Sequence, residues 1–486
     1  MHPIARRLAP VLLLAAGAPL AACDSLHSAA GVSAGFVSHQ LCSGVFVSGQ
    51  DPELYYRQAI APTASVVAPL ISHKLDLDRR EASASFAGLV TRTAAYHPGL
   101  GCGLVRGAPP AAVAAPPPAP ALLPPIAGPD VVEPQDSRLR AALDRAFAET
   151  DHAPHRWTKA VVIVHDGQVI AERYAPGYGV DTPILGWSMT KSVTNALIGV
   201  LVRQGRLSLD GPAPVAAWSA PGDPRHAISI DALMRMTSGL DIGQSLDASL
   251  GTAFDPTGRM VFDETDMAGF AERARLGAAP GTSWTYTNGD TLLLSRMIRD
   301  QAGGDAAHVV AFAHRELFDK LGMTQVTLEF DGVGTPIGAS HMWASARDWA
   351  RFGMLYLDDG VVGGERILPQ GWADYSARLT PGSETYGYGA GFWTNRGDSA
   401  GARIRTAGGM PADAFMARGN EGQYVVIVPS ARLVIVRLGM AYTPREDMPA
   451  VARLTADAVA AVAGGDSSRA ATQTMAYGQI QSRPRH

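Results

Sequence analysis

Gly186-Trp187-Ser188-Met189-Thr190-Lys191 sets a serine three residues before a lysine, at the head of a segment whose apolar residues Val193, Leu197, Val200 and Leu201 recur with helical period. Three residues along a helix put two side chains on one face. Lys191 can therefore reach the Ser188 hydroxyl, and the positive end of the helix dipole lowers the cost of charge developing at Ser188 Oγ. Composition makes the lysine informative, since Lys74, Lys159, Lys191 and Lys320 are the only four in 486 residues. A Ser-x-x-Lys match is still expected roughly once in four sequences of this composition. Alone, the pair reads equally as a helix-capping serine beside a solvated lysine.

About a hundred residues on, Thr285-Tyr286-Thr287-Asn288-Gly289 lies in a polar loop after Pro280-Gly281 and before the apolar run Thr291 to Leu294. Tyr286 and Asn288, two apart in an extended loop, point the same way. A positive Lys191 beside the phenol favours its anion, so Tyr286 is expected to share the general-base role with Lys191, taking the Ser188 proton and returning it to the leaving group. Asn288 can donate one hydrogen bond and accept another, which suits it to hold Lys191 and a substrate carbonyl together. A core tyrosine beside a turn asparagine would explain this pair taken alone. Its order and distance after Ser-x-x-Lys favour the catalytic reading.

Ser188-x-x-Lys191 followed by Tyr286-x-Asn288 resembles the class C β-lactamase group, including its esterase and 6-aminohexanoate-dimer hydrolase relatives. Leu233-Met234-Arg235-Met236-Thr237-Ser238-Gly239-Leu240 is similar to the segment these enzymes carry between the two motifs. Trp343-Ala344-Ser345-Ala346-Arg347-Asp348-Trp349-Ala350-Arg351-Phe352-Gly353 is similar to their later helix. The resemblance covers roughly residues 155 to 460 and implies acyl-enzyme hydrolysis without metal or other cofactor. The family's third motif, usually Lys-Thr-Gly or His-x-Gly, is where the chain departs. The match by position is Ala417-Arg418-Gly419-Asn420-Glu421-Gly422-Gln423, similar to the form in the dimer-hydrolase-like branch. In this register Gly419 lets a substrate lie close to the strand. The Asn420 backbone N–H then joins that of Ser188 as an oxyanion hole. A lysine in this motif commonly meets a β-lactam carboxylate, and Ala417 cannot, so antibiotic hydrolysis is not expected.

Outward from the motifs, Ala160 to Ile163 and Gln168 to Arg173 flank Asp166-Gly167 and read as a hairpin. Gln423 to Val428 and Leu433 to Leu438 read as a second hairpin, and Asp447 to Val462 has helical spacing. Strands at both ends bracket a helical middle. The fold expected is mixed α/β (α+β in layout), with one mostly antiparallel sheet built from both ends of the catalytic region, flanked by helices and carrying an inserted helical lobe. That region spans 135–465. Before it, 107–129 is an Ala/Pro-rich linker that favours extended conformers. A small module at 23–106 precedes the linker, and 466–486 reads as a disordered tail.

Arg6 and Arg7, the apolar run Leu8 to Leu20, and Leu20-Ala21-Ala22-Cys23 read as an export signal over 1–22. The sequence before Cys23 resembles a lipobox, which implies lipidation of Cys23 and a protein held on the periplasmic side of a membrane. Export places Cys42 and Cys102 in an oxidising compartment, where one disulfide between them is expected. A net charge of -4 gives no basic footprint for nucleic acid. His152 and His155 have no cysteine or carboxylate cluster beside them, so no metal site is expected. No glycine-rich nucleotide loop opens a helix. Tyr386, Tyr388, Phe392 and Trp393 read either as pocket lining or as core.

The function expected is hydrolysis of small amide or ester substrates through an acyl-serine. A D,D-peptidase or penicillin-binding activity on peptidoglycan is the second reading, favoured by location and disfavoured by the missing lysine. A non-catalytic binding protein on the same fold is the third.

Overall fold

The computed structural model describes residues 9–107, 113–114, 119–153, 155–245, 253–441 and 448–464, with side chains from residue 25 onward except at 65 and 66. The tail at 466–486, part of the 107–129 linker and the Cys23 side chain lie outside the described residues. Among the described residues no helix is long and apolar enough to cross a membrane.

Helix α1 (Ala9–Phe46) lays its later turns on a four-stranded antiparallel sheet of β1 (Ile71–Asp76), β2 (Glu81–Phe86), β3 (Val90–His97) and β4 (Gly101–Leu104), paired in that order. Cys42 on α1 is disulfide-bonded to Cys102 on β4, with Cα atoms 6.1 Å apart. Such a link restricts the unfolded chain and suits a unit with a small core of its own. That core does not close on itself: Ala34, Val37, Leu41 and Tyr55 continue into Leu185, Trp187, Trp343 and Met440 of the catalytic region. The later part of the Ala/Pro-rich stretch is strapped to the same region. Leu122 N–H donates to Lys320 O at 2.9 Å, Ile126 is buried while its carbonyl accepts from Val169 N–H at 2.8 Å, and Arg347 holds the Gly128 and Asp130 carbonyls. A proline-rich segment keeps its carbonyl acceptors, and here they dock it.

The catalytic region begins with α2 (Ser137–Phe147), β5 (Thr158–His165) and β6 (Gln168–Tyr174), joined at Asp166-Gly167, where both φ angles are positive as a two-residue turn of this hand requires. Then come α3 (Thr190–Arg203), α4 (Asn288–Ala302), α5 (Ala346–Leu357), β7 (Trp393–Thr394), β8 (Phe415–Gly419), β9 (Gln423–Val428) and β10 (Leu433–Gly439). The large sheet runs β7-β8-β9-β10-β5-β6, every pair antiparallel. The two ends of the region thus share one sheet, with β10 beside β5.

The side-chain period of two divides this sheet between two cores. Ala160, Val162 and Val164 of β5 face the lobe of α3, α4 and α5, whereas Val161 and Ile163 face α2 and the helical residues 448–464. Strands covered on both faces carry near-continuous apolar runs, which explains Ala-Val-Val-Ile-Val at 160–164 and Tyr-Val-Val-Ile-Val at 424–428. Close approach of α5 needs Gly353, where a Cβ would lie 2.5 Å from Val434 Cγ1 and 2.8 Å from Val425 Cγ1.

Candidate active site

Ser188 lies half-buried in a short 3-10 turn, Trp187–Met189, that leads directly into α3. Trp187 is held at a φ of 46°, a left-handed conformation that a bulky residue adopts only when its surroundings compel it. Several contacts hold it there: Gly186 N–H donates to Met342 O at 2.9 Å, Thr190 Oγ1 donates to Trp187 O at 2.7 Å, and the indole enters the core shared with α1.

Lys191, the second residue of α3 and 3% exposed, donates from Nζ to Ser188 Oγ at 3.2 Å, Asn288 Oδ1 at 2.6 Å and Ala339 O at 2.8 Å. Its ammonium also sits 4.9 Å from the centroid of the Tyr286 ring. Ser188, Lys191, Tyr286 and Asn288 therefore meet at one point. Asn288 is the first residue of α4, with Thr287 as its cap, so only Tyr286 of the pair sits in the extended loop. The segment at 233–240 backs that loop: Thr285 N–H donates to Met236 O at 2.9 Å and Gly281 N–H to Thr237 O at 2.7 Å. Ala339 carried no sequence signal, because its contribution is a main-chain carbonyl.

Burial dominates the electrostatics and changes one expectation. It pushes Lys191 down to about 7 and the Tyr286 phenol up to about 12, the latter opposed by a hydrogen bond with Ser188 and by the charge of Arg418. A phenolate held by a lysine ammonium is therefore not the resting state favoured here, because in so buried a place both charged forms lose hydration. Neutral amine and neutral phenol are the favoured pair above about pH 7.

The end of β8 presses on the Trp187–Met189 turn. A Cβ on Gly419 would lie 2.1 Å from Gly186 O and 3.1 Å from Trp187 Cβ, so the backbones touch only because residue 419 has no side chain. Asn420 follows it, half-buried, at the start of a 3-10 turn. Gly419→Ala is expected to push the turn out of place and lower kcat by about 100-fold, with a lower melting temperature. Steady-state kinetics and thermal melting of the purified variant check this.

Ala417 is buried in the core on the lobe side of the sheet, whereas Arg418 points to the other face. The Arg418 guanidinium lies 5.3 Å from the Trp393 ring centroid and 5.8 Å from that of Tyr424, close enough for its charge to act on Tyr286. A cation thus accompanies the third motif one residue after Ala417. The alternation of faces along a strand was the signal that could have found it. Trp284, Tyr388 and Trp393 gather around Tyr286 with ring centroids 5.3 to 6.4 Å from it, and Tyr386 packs on Trp284 at 5.5 Å. Phe392 belongs elsewhere, in the core against Tyr356 and Phe415. Among the described residues Trp284 Nε1 and Tyr388 Oη are buried without a hydrogen-bond partner. His152 is exposed, and His155 stacks on Trp157 beside Glu149.

The β-lactamase family matches this chain over residues 143–460. A 6-aminohexanoate-dimer hydrolase from Paenarthrobacter ureafaciens is 25% identical over 292 residues, covering 58% of this chain and 72% of that protein. Protein Rv1367c of Mycobacterium tuberculosis is 28% identical over 336 residues, covering 58% and 80%. Among solved structures, a Bacillus anthracis protein described provisionally as a 6-aminohexanoate-dimer hydrolase matches with a TM-score of 0.51 at 24% identity, over 63% of this chain and 79% of that one. This last likeness is one of fold.

Proposed function

The chain belongs to the β-lactamase family of serine hydrolases, and from that premise we propose that it cleaves small linear amides or esters through an acyl-serine on Ser188. The observation that carries the proposal is the convergence of Lys191 Nζ on Ser188 Oγ and Asn288 Oδ1 beneath the Tyr286 ring. Ser188 Oγ attacks the substrate carbonyl carbon as its proton passes to the neutral Lys191 amine. Tyr286, its phenol still protonated, relays a proton to the departing amine or alcohol and is reprotonated from Lys191. Charge on the carbonyl oxygen is met by the N–H groups of Ser188 and Asn420. A water then attacks the ester, by the same proton path in reverse, and frees the acid.

Arg418 refines the substrate. A half-buried guanidinium at the aromatic wall around Tyr286 suits a carboxylate at the end of an apolar chain, which the aromatic rings would line. The test is intact-mass and steady-state kinetics with a carboxylate-bearing p-nitrophenyl ester, its neutral counterpart, and a penicillin. Turnover of esters with preference for the carboxylate, reduced about 10- to 100-fold in Arg418→Met with the neutral ester little changed, is the expected result. A lasting penicillin adduct on Ser188 without ester turnover would move the protein to the peptidoglycan enzymes, and no reaction with any of the three would favour a binding protein. The proposal includes export and a lipid anchor at Cys23. The Cys42–Cys102 bond supports the first of these, since such bonds persist in oxidising compartments.

A further inference from the structure

Behind the nucleophile turn, α1 meets the stretch 329–341 across a cluster of fully buried polar side chains: His39 is 1% exposed, and Glu329 and His341 are 0% exposed. Glu329 Oε1 accepts from Ser43 Oγ at 2.6 Å and from the Cys102 backbone N–H at 2.9 Å. Its other oxygen, Oε2, faces His39 Nε2 at 3.1 Å yet has no well-formed hydrogen bond, and His39 Nδ1 has none either. His39 Nε2 also meets the Cys102 carbonyl at 3.0 Å. His341 shares a 2.7 Å hydrogen bond with Ser340 Oγ through Nδ1 and turns Nε2 toward the Gln40 amide at 3.2 Å. One donor atom from each of His39, Glu329 and His341 lies within 4.8 Å of the other two.

A buried carboxylate needs a compensating cation. Among the described residues the ion-pair partner recorded for Glu329 is His39, a group that carries charge only when protonated. His39 Nδ1, buried with no hydrogen-bond partner, is a second unmet polar atom in the same cluster. A divalent metal ion resolves both difficulties, since it neutralises the carboxylate and accepts lone pairs from neutral imidazoles. The surroundings also match what such sites require: Ser43 and the Cys102 N–H fix the carboxylate, and Ser340 fixes the ring that presents Nε2, much as outer partners orient metal ligands elsewhere.

We propose that His39, Glu329 and His341 form a structural site for a zinc-type divalent cation that ties the N-terminal module to the catalytic region. Two imidazoles and one carboxylate suit zinc, and full burial makes the site a closed one with no position for substrate. The Gln40 side-chain amide, already against His341, offers an oxygen as a fourth ligand once turned. The two rings now stack 11° from parallel with centroids 4.7 Å apart, so binding rotates at least one of them to bring the lone pairs together. The site reaches the catalytic wall by two short routes: His341 packs edge-on against Trp187 at 5.9 Å, and Ala339, two residues before it, holds Lys191. His39 lies about 300 residues before Glu329 and His341 in the chain, beyond the reach of any spacing rule.

The test uses the full chain, purified with its disulfide intact and without chelator, after growth with zinc. Elemental mass spectrometry is expected to find one zinc per chain that survives gel filtration. Stripping with a strong chelator should lower the melting temperature by more than about 5 °C, and Zn2+ alone should restore it. Glu329→Gln and His341→Phe, the second retaining an aromatic ring against His39 and Trp187, should each abolish stoichiometric zinc and the response to added Zn2+. A folded wild-type protein that carries no metal and whose melting ignores Zn2+ overturns the proposal. So does zinc retained by both variants. Because wild-type metal content and melting need no variant to fold and no substrate to be known, failure here is separable from failure of the hydrolase reading.

Discussion

Ser188→Ala is expected to lower turnover by about 10,000-fold or more while the protein folds and melts as the wild type does. The size of the loss follows from the chemistry, because the hydroxyl that Lys191 Nζ contacts is that of Ser188, and without it the remaining groups act only on a bound water. The small structural cost follows from the surroundings. Ser188 is half-buried, and Lys191 loses one of three acceptors while keeping Asn288 Oδ1 and Ala339 O. Loss of one long, part-buried hydrogen bond of this kind costs about 1 kcal/mol, too little to unfold the protein. Active-site labelling with an activated ester, read as an acyl mass shift, should be absent in the variant, and circular dichroism with thermal melting should show the fold unchanged. Retention of more than about a hundredth of wild-type activity would place the nucleophile elsewhere.

Much of this arrangement is legible in the chain because it rests on local pattern. The β5–β6 turn is written in Asp166-Gly167, and strands buried on both faces announce themselves as unbroken apolar runs such as Tyr424 to Val428. Ser188 and Lys191 are joined by one helical turn, a spacing that survives any tertiary context. Three features escape for a common reason: they depend on which distant surfaces meet. The Arg418 side chain acquires meaning only through its strand face and the Tyr286 loop beside it. The Ala339 carbonyl has no side-chain signature at all. The seat of the N-terminal module is set by packing of Leu41 and Tyr55 with Trp187 and Trp343, residues that are ordinary apolar positions when read along the chain. The depressed basicity of Lys191 is of the same kind, since a lysine after Ser-x-x reads as an ammonium until its burial is known.

That depressed basicity makes the second large prediction, and it has two signatures, one in activity and one in stability. Lys191 accepts the Ser188 proton only as the neutral amine, so kcat/KM is expected to rise with pH through a single step centred near 7 and to stay level above it. Tyr286, pushed up to about 12, keeps its proton throughout and adds no second step below pH 10. Lys191→Met should lower kcat by about 1,000-fold or more and remove the Lys191 step. Asp290, pushed up to about 7 by burial two residues after Asn288 and hydrogen-bonded to Ser238, is the other group titrating in this range, so Asp290→Asn, which should keep the step, is the control. Stability follows pH over a different range, above the step rather than through it. In the unfolded chain a lysine holds its proton up to about pH 10.4, while the folded protein releases that of Lys191 near 7. Between these values the unfolded state binds more protons, so the wild type gains stability as pH rises from 7 to 10.4, and below 7 the full cost of burying this group is present and constant. The cost is roughly 5 kcal/mol at the low-pH end, partly offset in comparison with methionine by the bonds from Nζ to Asn288 and Ala339. Lys191→Met should therefore be at its most favourable relative to wild type below pH 7 and lose that advantage steadily toward pH 10. Chemical denaturation of both proteins at matched pH values measures the gap directly, with other alkaline effects cancelling in the difference. A gap that stays flat from pH 6 to 10 would mean that Lys191 keeps an ordinary ammonium in the folded protein, and the general base would then have to be sought in Tyr286 instead.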